Sequence, residues 1–199
     1  MTLSNKLTIC RIVLTFVFMF FLFSKGVASK SAALVIFILA ACTDYLDGWL
    51  AKRRMEITDF GKVMDPIADK ILTIAAFLAF VEMELVPAWM VLVIILRELI
   101  ITSFRLLALM RGRVMEAAAA GKHKTVSQLV SILVTLVFIV IREAGVRVFY
   151  FWNASFEYWY RQAIFVLMLV TVALTVISGA SYLVRNRRYL TLSRNGKAG

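Results

Sequence analysis

Long apolar runs dominate this sequence, and six of them are spaced along its length. A helix needs roughly 20 apolar residues to cross a hydrocarbon core, because each residue advances it by only about 1.5 Å. We place the helices at about residues 8–24, 31–53, 63–82, 87–110, 125–142 and 160–186. Six such helices with their connections use nearly all of the 199 residues, 62% of which are hydrophobic. The sequence therefore predicts an all-α fold, a single-domain bundle of six transmembrane helices over residues 1–199.

Positive charges are distributed unequally between the two ends of these helices. If the chain crosses the membrane alternately, one side collects sixteen Lys and Arg residues and the other only five, with Lys70 and Arg97 inside spans. Cytoplasmic flanks carry the excess of positive charge in membrane proteins. No organelle-targeting extension precedes the first span. We therefore predict a multi-pass protein of a bacterial inner membrane, with both termini and a short basic tail, residues 189–199, in the cytoplasm.

The net charge of +11 is also compatible in principle with a nucleic-acid-binding protein. However, the basic residues stand at the ends of apolar runs and form no RNA- or DNA-binding motif, so membrane orientation explains them better. A cleaved signal peptide is disfavoured because residues 24–26, Ser-Lys-Gly, do not form a small-x-small cleavage site. Cys10 and Cys42 lie in or beside apolar segments and indicate neither a disulfide framework nor a metal site.

An aromatic segment, FYFWNASFEYWY, occupies residues 149–160 on the side that is poor in positive charge. Tyr and Trp are enriched where a membrane meets water, because their rings are apolar and their tips polar. The segment is therefore predicted to form an interfacial belt, with ligand stacking as the weaker alternative.

Four aspartates stand at the facing ends of the second and third predicted helices. Asp44 and Asp47 are three residues apart and Asp65 and Asp69 are four apart, so each pair projects from one face of its helix. Clustered carboxylates at a membrane boundary repel one another and are costly to desolvate, so positive charge must compensate them. Hard oxygen ligands favour Mg²⁺, Mn²⁺ or Ca²⁺ over zinc. The pattern predicts a divalent-metal site, with helix caps or ion pairs to nearby cations as the alternative.

Small residues accompany these carboxylates. Gly48 and Ala51 lie about one and two turns beyond Asp44, and Gly61 lies one turn before Asp65. Bare backbone lets a flat ligand come close, whereas tight helix packing is the alternative explanation for small residues in membrane helices. Beside four carboxylates, a nucleotide site is the favoured interpretation.

Residues 44–69 match the pattern D-x2-D-G-x2-A-R-x8-G-x3-D-x3-D, and the chain thereby resembles the CDP-alcohol phosphatidyltransferases. Every spacing agrees, and so do seven of the eight fixed residues. The departure is Lys52, where the family usually has arginine; lysine keeps the charge but loses the bidentate fork. We call this segment the signature.

The likeness extends beyond the signature. Residues 5–11, NKLTICR, are similar to the family's amino-terminal N-x-L-T-x2-R element. Residues 121–128, GKHKTVSQ, and the pair Arg97-Glu98 resemble segments of the phosphatidylglycerophosphate synthases, a branch of that family. The recognisable likeness ends at about residue 142, and the last third matches only in being hydrophobic.

The resemblance implies a two-metal site. Asp44, Asp47 and Asp65 would bind two divalent cations, Mg²⁺ or Mn²⁺, and Asp69 would contact one of them while acting as the base. Such cations neutralise a pyrophosphate and stabilise CMP as it leaves, and a carboxylate near the acceptor hydroxyl can take its proton. The signature holds no nucleophilic Ser or Cys beside a base, which favours direct attack by the acceptor; a covalent phosphatidyl-enzyme stays open as the alternative.

The resemblance also implies CDP-diacylglycerol as the donor, membrane lipids as surroundings and a homodimer as the assembly, without nucleic acid. The cytidine diphosphate would lie against the small residues Gly48, Ala51 and Gly61. Its polar contacts would come from Asn5, Thr8 and Lys52.

Four basic residues are candidates for binding an acceptor's phosphate: Arg97, Arg105, Lys122 and Lys124. Arg97 stands in the apolar stretch VLVIILRELI, where a charge is expensive and indicates function. The alternative is that Arg97 only pairs with Glu98 or Glu82. A cationic pocket favours a phosphate-bearing acceptor over serine, choline or ethanolamine. With the GKHKT segment, the first choice is glycerol 3-phosphate, which would give phosphatidylglycerol phosphate.

Two other functions are consistent with the same residues. The first keeps the chemistry and changes the acceptor to inositol phosphate or phosphatidylglycerol. The second is a small cation transporter in which the aspartates line an ion pathway. The aspartates gather toward the predicted cytoplasmic ends of their helices, where a cytosolic nucleotide is available, and this favours the enzyme.

Overall fold

A computed structural model describes residues 3–54, 59–110, 120–148 and 152–185, with side chains for residues 9–43, 70–104, 125–146, 148 and 152–185. In these ranges the chain forms six α-helices and no strand. The helices are α1 Leu3–Phe23, α2 Val27–Arg54, α3 Asp59–Glu82, α4 Ala88–Met110, α5 Ala120–Arg147 and α6 Ala154–Arg185. The predicted all-α fold with six helices is confirmed for this part of the chain. The predicted tail, residues 189–199, lies outside it.

Five of the six helices begin earlier than the apolar runs indicated, and α4 begins one residue later. α1 starts at Leu3, α5 at Ala120 and α6 at Ala154, each several residues before the predicted start. The side-chain oxygen Oδ1 of Asn153 accepts a hydrogen bond from the backbone N–H of Phe156 at 2.8 Å, which caps the first turn of α6. Capping and polar flanks extend helices beyond the apolar stretch that hydropathy detects.

Two short connections reverse the chain, one between α1 and α2 and the other between α3 and α4. Gly26, between α1 and α2, has a φ of 106°, in the left-handed region that glycine adopts readily. Its backbone N–H donates to Oε1 of Glu143 at 2.9 Å, which joins this turn to α5. Between α3 and α4, the backbone N–H of Leu85 donates to the carbonyl of Phe80 at 2.9 Å. The helices on either side of each turn are therefore antiparallel.

The core is built from all six helices. α1 packs on α2 and α3, α2 on α5, α5 on α6, and α4 on α3 and α6. Phe18 of α1 meets Phe37 of α2 with ring centroids 5.6 Å apart. The fully buried large side chains are Phe18, Leu22, Phe37, Phe77, Phe80, Met90, Ile94, Ile132, Leu136, Phe138, Ile164 and Met168. One apolar interior thus holds the helices in a single bundle.

The outer faces of the bundle are also apolar. Phe16 and Phe20 are 72% and 70% exposed one turn apart on α1. Leu92, Leu96 and Leu99 form a similar exposed stripe on α4. Contiguous exposed apolar surface of this kind marks contact with lipid or with another protein.

Two helical segments are long and apolar enough to cross a membrane, judged over the side chains that the structure describes. They are Thr125–Val146 and Ala154–Arg185; Ile9–Phe23 and Val27–Thr43 are apolar but shorter. Six transmembrane spans remain a prediction.

The aromatic segment divides between the interior and the surface. Tyr160 stacks on Phe138 of α5 with ring centroids 3.7 Å apart, and Trp152 lies 5.7 Å from the same ring. The indole Nε1 of Trp152 also donates to Glu157 at 2.8 Å. These two rings therefore join α5 to the start of α6. Within the described part of the segment, residues 152–160, the aromatic residues that are more than half exposed are Phe156, Tyr158 and Trp159.

Candidate active site

The signature occupies the end of one helix and the start of the next. Asp44 and Asp47 lie in the last third of α2, which continues without a break to Arg54, and Asp65 and Asp69 lie in the first half of α3. The backbone is helical at both places, so residues three or four positions apart lie on the same face of their helix. The aspartate side chains lie outside the described residues, so their predicted convergence stays a prediction.

The other predicted site residues fall on four helices. Asn5 and Thr8 belong to the first turns of α1, and Lys122 and Lys124 to the first turns of α5. The remaining residues are Gly48, Ala51 and Lys52 in the last part of α2, Gly61 at the start of α3, Arg97 near the middle of α4 and Arg105 in its second half. Of all these, the structure describes the side chain of Arg97 alone.

Contacts between helices show that these segments share one end of the bundle. The turn between α3 and α4 lies beside the start of α6, because Nη1 of Arg161 donates to the backbone carbonyl of Glu84 at 2.8 Å. At the same end of the bundle, Gly26 between α1 and α2 contacts Glu143 near the end of α5. The starts of α1, α3 and α5 and the ends of α2, α4 and α6 therefore lie together at the opposite end, and we call this the site end.

The donor set at the site end fits a hard divalent cation. Four carboxylates supply only oxygen ligands, which Mg²⁺ and Mn²⁺ prefer and which zinc sites seldom use without nitrogen or sulfur. The two carboxylate-bearing segments are adjacent in the chain and helical in the structure. Within the side chains described, no group of three or more His, Cys, Asp or Glu residues gathers in an arrangement that could hold a metal ion.

A buried ionic cluster lies near the middle of α3 and α4. Nη1 of Arg97 donates to Oε1 of Glu98 at 3.1 Å, and Nη2 donates to Oγ of Ser178 at 3.1 Å. Oε2 of Glu98 lies 3.6 Å from Nζ of Lys70. Glu98 is only 6% exposed, so its charge depends on these cationic partners. The cluster joins α3, α4 and α6 one residue beyond Asp69.

Of the two partners considered for Arg97, the structure shows Glu98. Glu82 is exposed in the last turn of α3, at the opposite end of that helix. The pairing with Glu98 engages Nη1, and binding of an acceptor phosphate by Arg97 stays a prediction. No sequence motif assigned a role to Lys70. The signal that could have indicated one is that Lys70, like Arg97, is a basic residue inside a predicted span.

A second polar feature joins α5 to α6. Oγ1 of Thr171 lies 2.6 Å from Oγ of Ser131 and 2.9 Å from Oγ of Ser127. Hydroxyl groups that hydrogen-bond across membrane helices add to their association. No sequence motif indicated this contact, although Ser127 and Ser131 stand four residues apart, as do Thr171 and Thr175.

Arg11, from the amino-terminal element, is 6% exposed in α1. The hydroxyl of Thr15 donates to its backbone carbonyl at 2.9 Å. A charged side chain buried in an apolar helix is expensive, so Arg11 joins the residues of functional interest near the site end.

A sequence model of the family described as CDP-alcohol phosphatidyltransferase matches residues 1–181 of this chain. The chain belongs to that family. The match continues well past residue 142, where the recognisable motifs end, and takes in nearly all of α6. The last third of this phosphatidyltransferase is therefore part of the family domain, with Ser178 of the ionic cluster inside it.

Several curated relatives align with almost the whole phosphatidyltransferase. The CDP-diacylglycerol–glycerol-3-phosphate 3-phosphatidyltransferase of Bacillus subtilis strain 168 is 35% identical over an alignment of 203 residues. The alignment covers 96% of this chain and 98% of the relative. A probable phosphatidylglycerophosphate synthase of Mycobacterium tuberculosis strain H37Rv is 35% identical, covering 94% and 82%. A Rickettsia felis relative named like the Bacillus protein is 30% identical, covering 94% and 96%.

Proposed function

We propose that this protein transfers the phosphatidyl group of CDP-diacylglycerol to glycerol 3-phosphate, forming phosphatidylglycerol phosphate and CMP. The observation that carries the proposal is the full-length similarity to relatives named for this reaction. The intact spacing of the signature supports it independently, because residues 44–69 retain all four aspartates. The reaction is one step of phospholipid biosynthesis.

The signature aspartates are proposed to hold two divalent cations, Mg²⁺ or Mn²⁺. Asp44, Asp47 and Asp65 would serve as ligands, and Asp69 would serve as a ligand and as the base. Bound at this position, such cations supply charge neutralisation for the pyrophosphate and for the departing CMP. Asp69 would accept the proton of the glycerol hydroxyl as its oxygen attacks the phosphorus.

The cytidine diphosphate is proposed to lie along the small-residue face of α2 and the start of α3. Gly48, Ala51 and Gly61 would allow close approach of the nucleotide to the backbone. The polar contacts would come from Asn5, Thr8 and Lys52. Lysine supplies one ammonium where an arginine would supply a planar fork, so we expect a point contact to phosphate from Lys52.

The acceptor's phosphate is proposed to bind four basic residues: Arg97, Arg105, Lys122 and Lys124. Arg97 lies near the middle of α4, Arg105 lies toward its end, and the two lysines lie at the start of α5. The end of α4 and the start of α5 both contribute to the site end. Charge-assisted hydrogen bonds to phosphate oxygens are stronger than neutral ones, so this set favours a phosphorylated acceptor.

The test is release of CMP by the purified protein. The assay contains CDP-diacylglycerol, Mg²⁺ or Mn²⁺, and one acceptor at a time: glycerol 3-phosphate, inositol phosphate, phosphatidylglycerol or serine. We expect the highest kcat/KM with glycerol 3-phosphate and little release with serine. A preference for another acceptor would reassign the substrate, and absence of CMP with every acceptor would refute the enzyme.

We infer that all six helices span the membrane and that both termini face the cytoplasm. A helix of 21 residues, the length of α1, reaches about 32 Å, which suffices for a hydrocarbon core of about 30 Å. The sixteen positive charges would then lie on the cytoplasmic side of the inner membrane, with the site end. Tags fused to either terminus should be cut by protease in inverted membrane vesicles; protection of either tag would contradict this orientation.

We also infer a homodimer, on the strength of the family likeness. Its mass in detergent, measured by light scattering with the detergent contribution subtracted, should be twice 22.5 kDa. A monomeric mass in both detergent and nanodiscs would argue against the dimer.

A further inference from the structure

The side chain of Arg97 lies directly against α6 at Gly179. A Cβ atom built on Gly179 would meet Cγ of Arg97 at 3.0 Å and Nε at 3.3 Å. Carbon atoms prefer separations of about 3.5–4.0 Å, so any larger residue at position 179 would displace the arginine stem. Glycine is less favourable than alanine inside a helix. Glycine at position 179 therefore allows the side chain of Arg97 to approach the backbone of α6 closely.

The guanidinium group of Arg97 is held on two further sides. Nη1 donates to Glu98 and Nη2 to Ser178, each at 3.1 Å. We call Glu98, Ser178 and Gly179 the arginine cradle. Together the cradle residues fix the stem and both terminal nitrogens, although arginine is among the side chains with the most rotamer freedom. A single orientation of the guanidinium follows.

Glu98 of the cradle also connects Arg97 to α3, the helix that carries Asp65 and Asp69 of the signature. Glu98, which accepts from Arg97, lies 3.6 Å from Nζ of Lys70. Lys70 follows Asp69 directly in α3. One carboxylate thus ties the proposed phosphate-binding arginine to the helix that carries the proposed base. A phosphate held by Arg97 would consequently have a defined position relative to that helix.

We propose that Ser178 and Gly179 of α6 are positioning residues for the acceptor, acting through Arg97. This inference rests on the proposed function. Neither residue needs to touch a substrate: the hydroxyl and the bare backbone preorganise the guanidinium, so that binding the acceptor's phosphate does not require ordering a long side chain. Loss of the cradle should weaken acceptor binding and leave the binding of CDP-diacylglycerol unchanged.

The first test is the Ser178→Ala variant, which removes one oxygen atom. We expect the KM for glycerol 3-phosphate to rise on the order of 10-fold, because the lost hydrogen bond involves a charged group. The KM for CDP-diacylglycerol and kcat should stay within about twofold of wild type. Gly179→Ala should shift the same KM in the same direction. The matched control is Ala180→Val on the exposed face of α6, which should change neither KM.

A double-mutant cycle separates positioning from mere packing of α6. In an Arg97→Lys background, the Ser178 hydroxyl has no Nη2 atom to orient, so adding Ser178→Ala should raise the acceptor's KM no further. Inhibition by inorganic phosphate, competing with glycerol 3-phosphate, should weaken in Ser178→Ala by a similar factor. A KM increase of equal size in both backgrounds would overturn the proposal.

The remaining outcomes are also decisive. If the wild-type protein is active but Ser178→Ala changes neither KM, or changes both equally, the positioning role is wrong while the proposed function stands. If the wild-type protein releases no CMP with any acceptor, the proposed function itself fails. If Gly179→Ala does not fold, as judged by thermal unfolding in detergent, Ser178→Ala and the cycle decide alone.

Discussion

Replacing Asp69 with asparagine should lower kcat for CMP release by about 10³-fold or more. An amide cannot accept the proton of the acceptor hydroxyl, and loss of a general base typically costs about 10²–10⁴-fold. Loss of one charged metal ligand adds to this effect. The measurement is CMP release at saturating CDP-diacylglycerol, glycerol 3-phosphate and Mg²⁺, followed over hours so that a small residual rate is detected.

Two comparisons make the Asp69→Asn result interpretable. Binding of CDP-diacylglycerol, measured by calorimetry in detergent, should be largely retained, because the proposed nucleotide contacts lie elsewhere. Asp59→Asn, the same change at the first residue of α3 and outside the fixed positions of the signature, should keep turnover within a few-fold. Undiminished turnover in Asp69→Asn would remove this residue as the base.

Removal of divalent cations should lower the rate of CMP release by at least about 10²-fold. The cations contribute several kcal/mol of charge stabilisation in the transition state, and each 1.4 kcal/mol corresponds to about a tenfold change in rate. The protein would be dialysed against EDTA and assayed without added metal. Mg²⁺ or Mn²⁺ should restore CMP release, and Zn²⁺ should not, because an all-carboxylate site suits the harder ions.

The chelation experiment has its own control and its own counter-outcome. EDTA already saturated with Mg²⁺ should leave activity intact, which separates metal removal from an effect of the chelator on the lipid. Asp47→Asn should raise the Mg²⁺ concentration needed for half-maximal rate, because a neutral amide replaces one charged ligand. Full activity of the dialysed protein in excess EDTA would eliminate the two-metal proposal.

The helices and the family were predictable from sequence because their signals are local. Apolar runs of roughly 20 residues indicate long helices wherever they occur, and the six helices of the structure overlap the six predicted segments. The signature, residues 44–69, is one continuous stretch whose spacing alone indicated the family that the match over residues 1–181 established. Neither inference required knowledge of which helices touch.

The partners of individual side chains were not predictable, because they depend on packing between distant segments. Arg97 contacts Ser178, which is 81 positions away. In the sequence, Ser178 is one polar residue in an apolar helix, and nothing near it indicates an arginine as its partner. Tyr160 stacks on Phe138, 22 positions away, and the composition of the aromatic segment did not indicate this partner. Such contacts arise only when α4, α5 and α6 have taken their places in the bundle.

The sequence by itself determined that this protein is an all-helical member of the CDP-alcohol phosphatidyltransferase family with the aspartates of its signature on two consecutive helices. Local composition and residue spacing suffice for that, because helix formation and motif recognition act over a few turns. The tertiary structure alone decided that Glu98 serves both Lys70 and Arg97, and that α6 holds Arg97 at Ser178 and Gly179. The physical reason is that a buried charge takes its partners from whichever helices pack around it, and that choice is made in three dimensions.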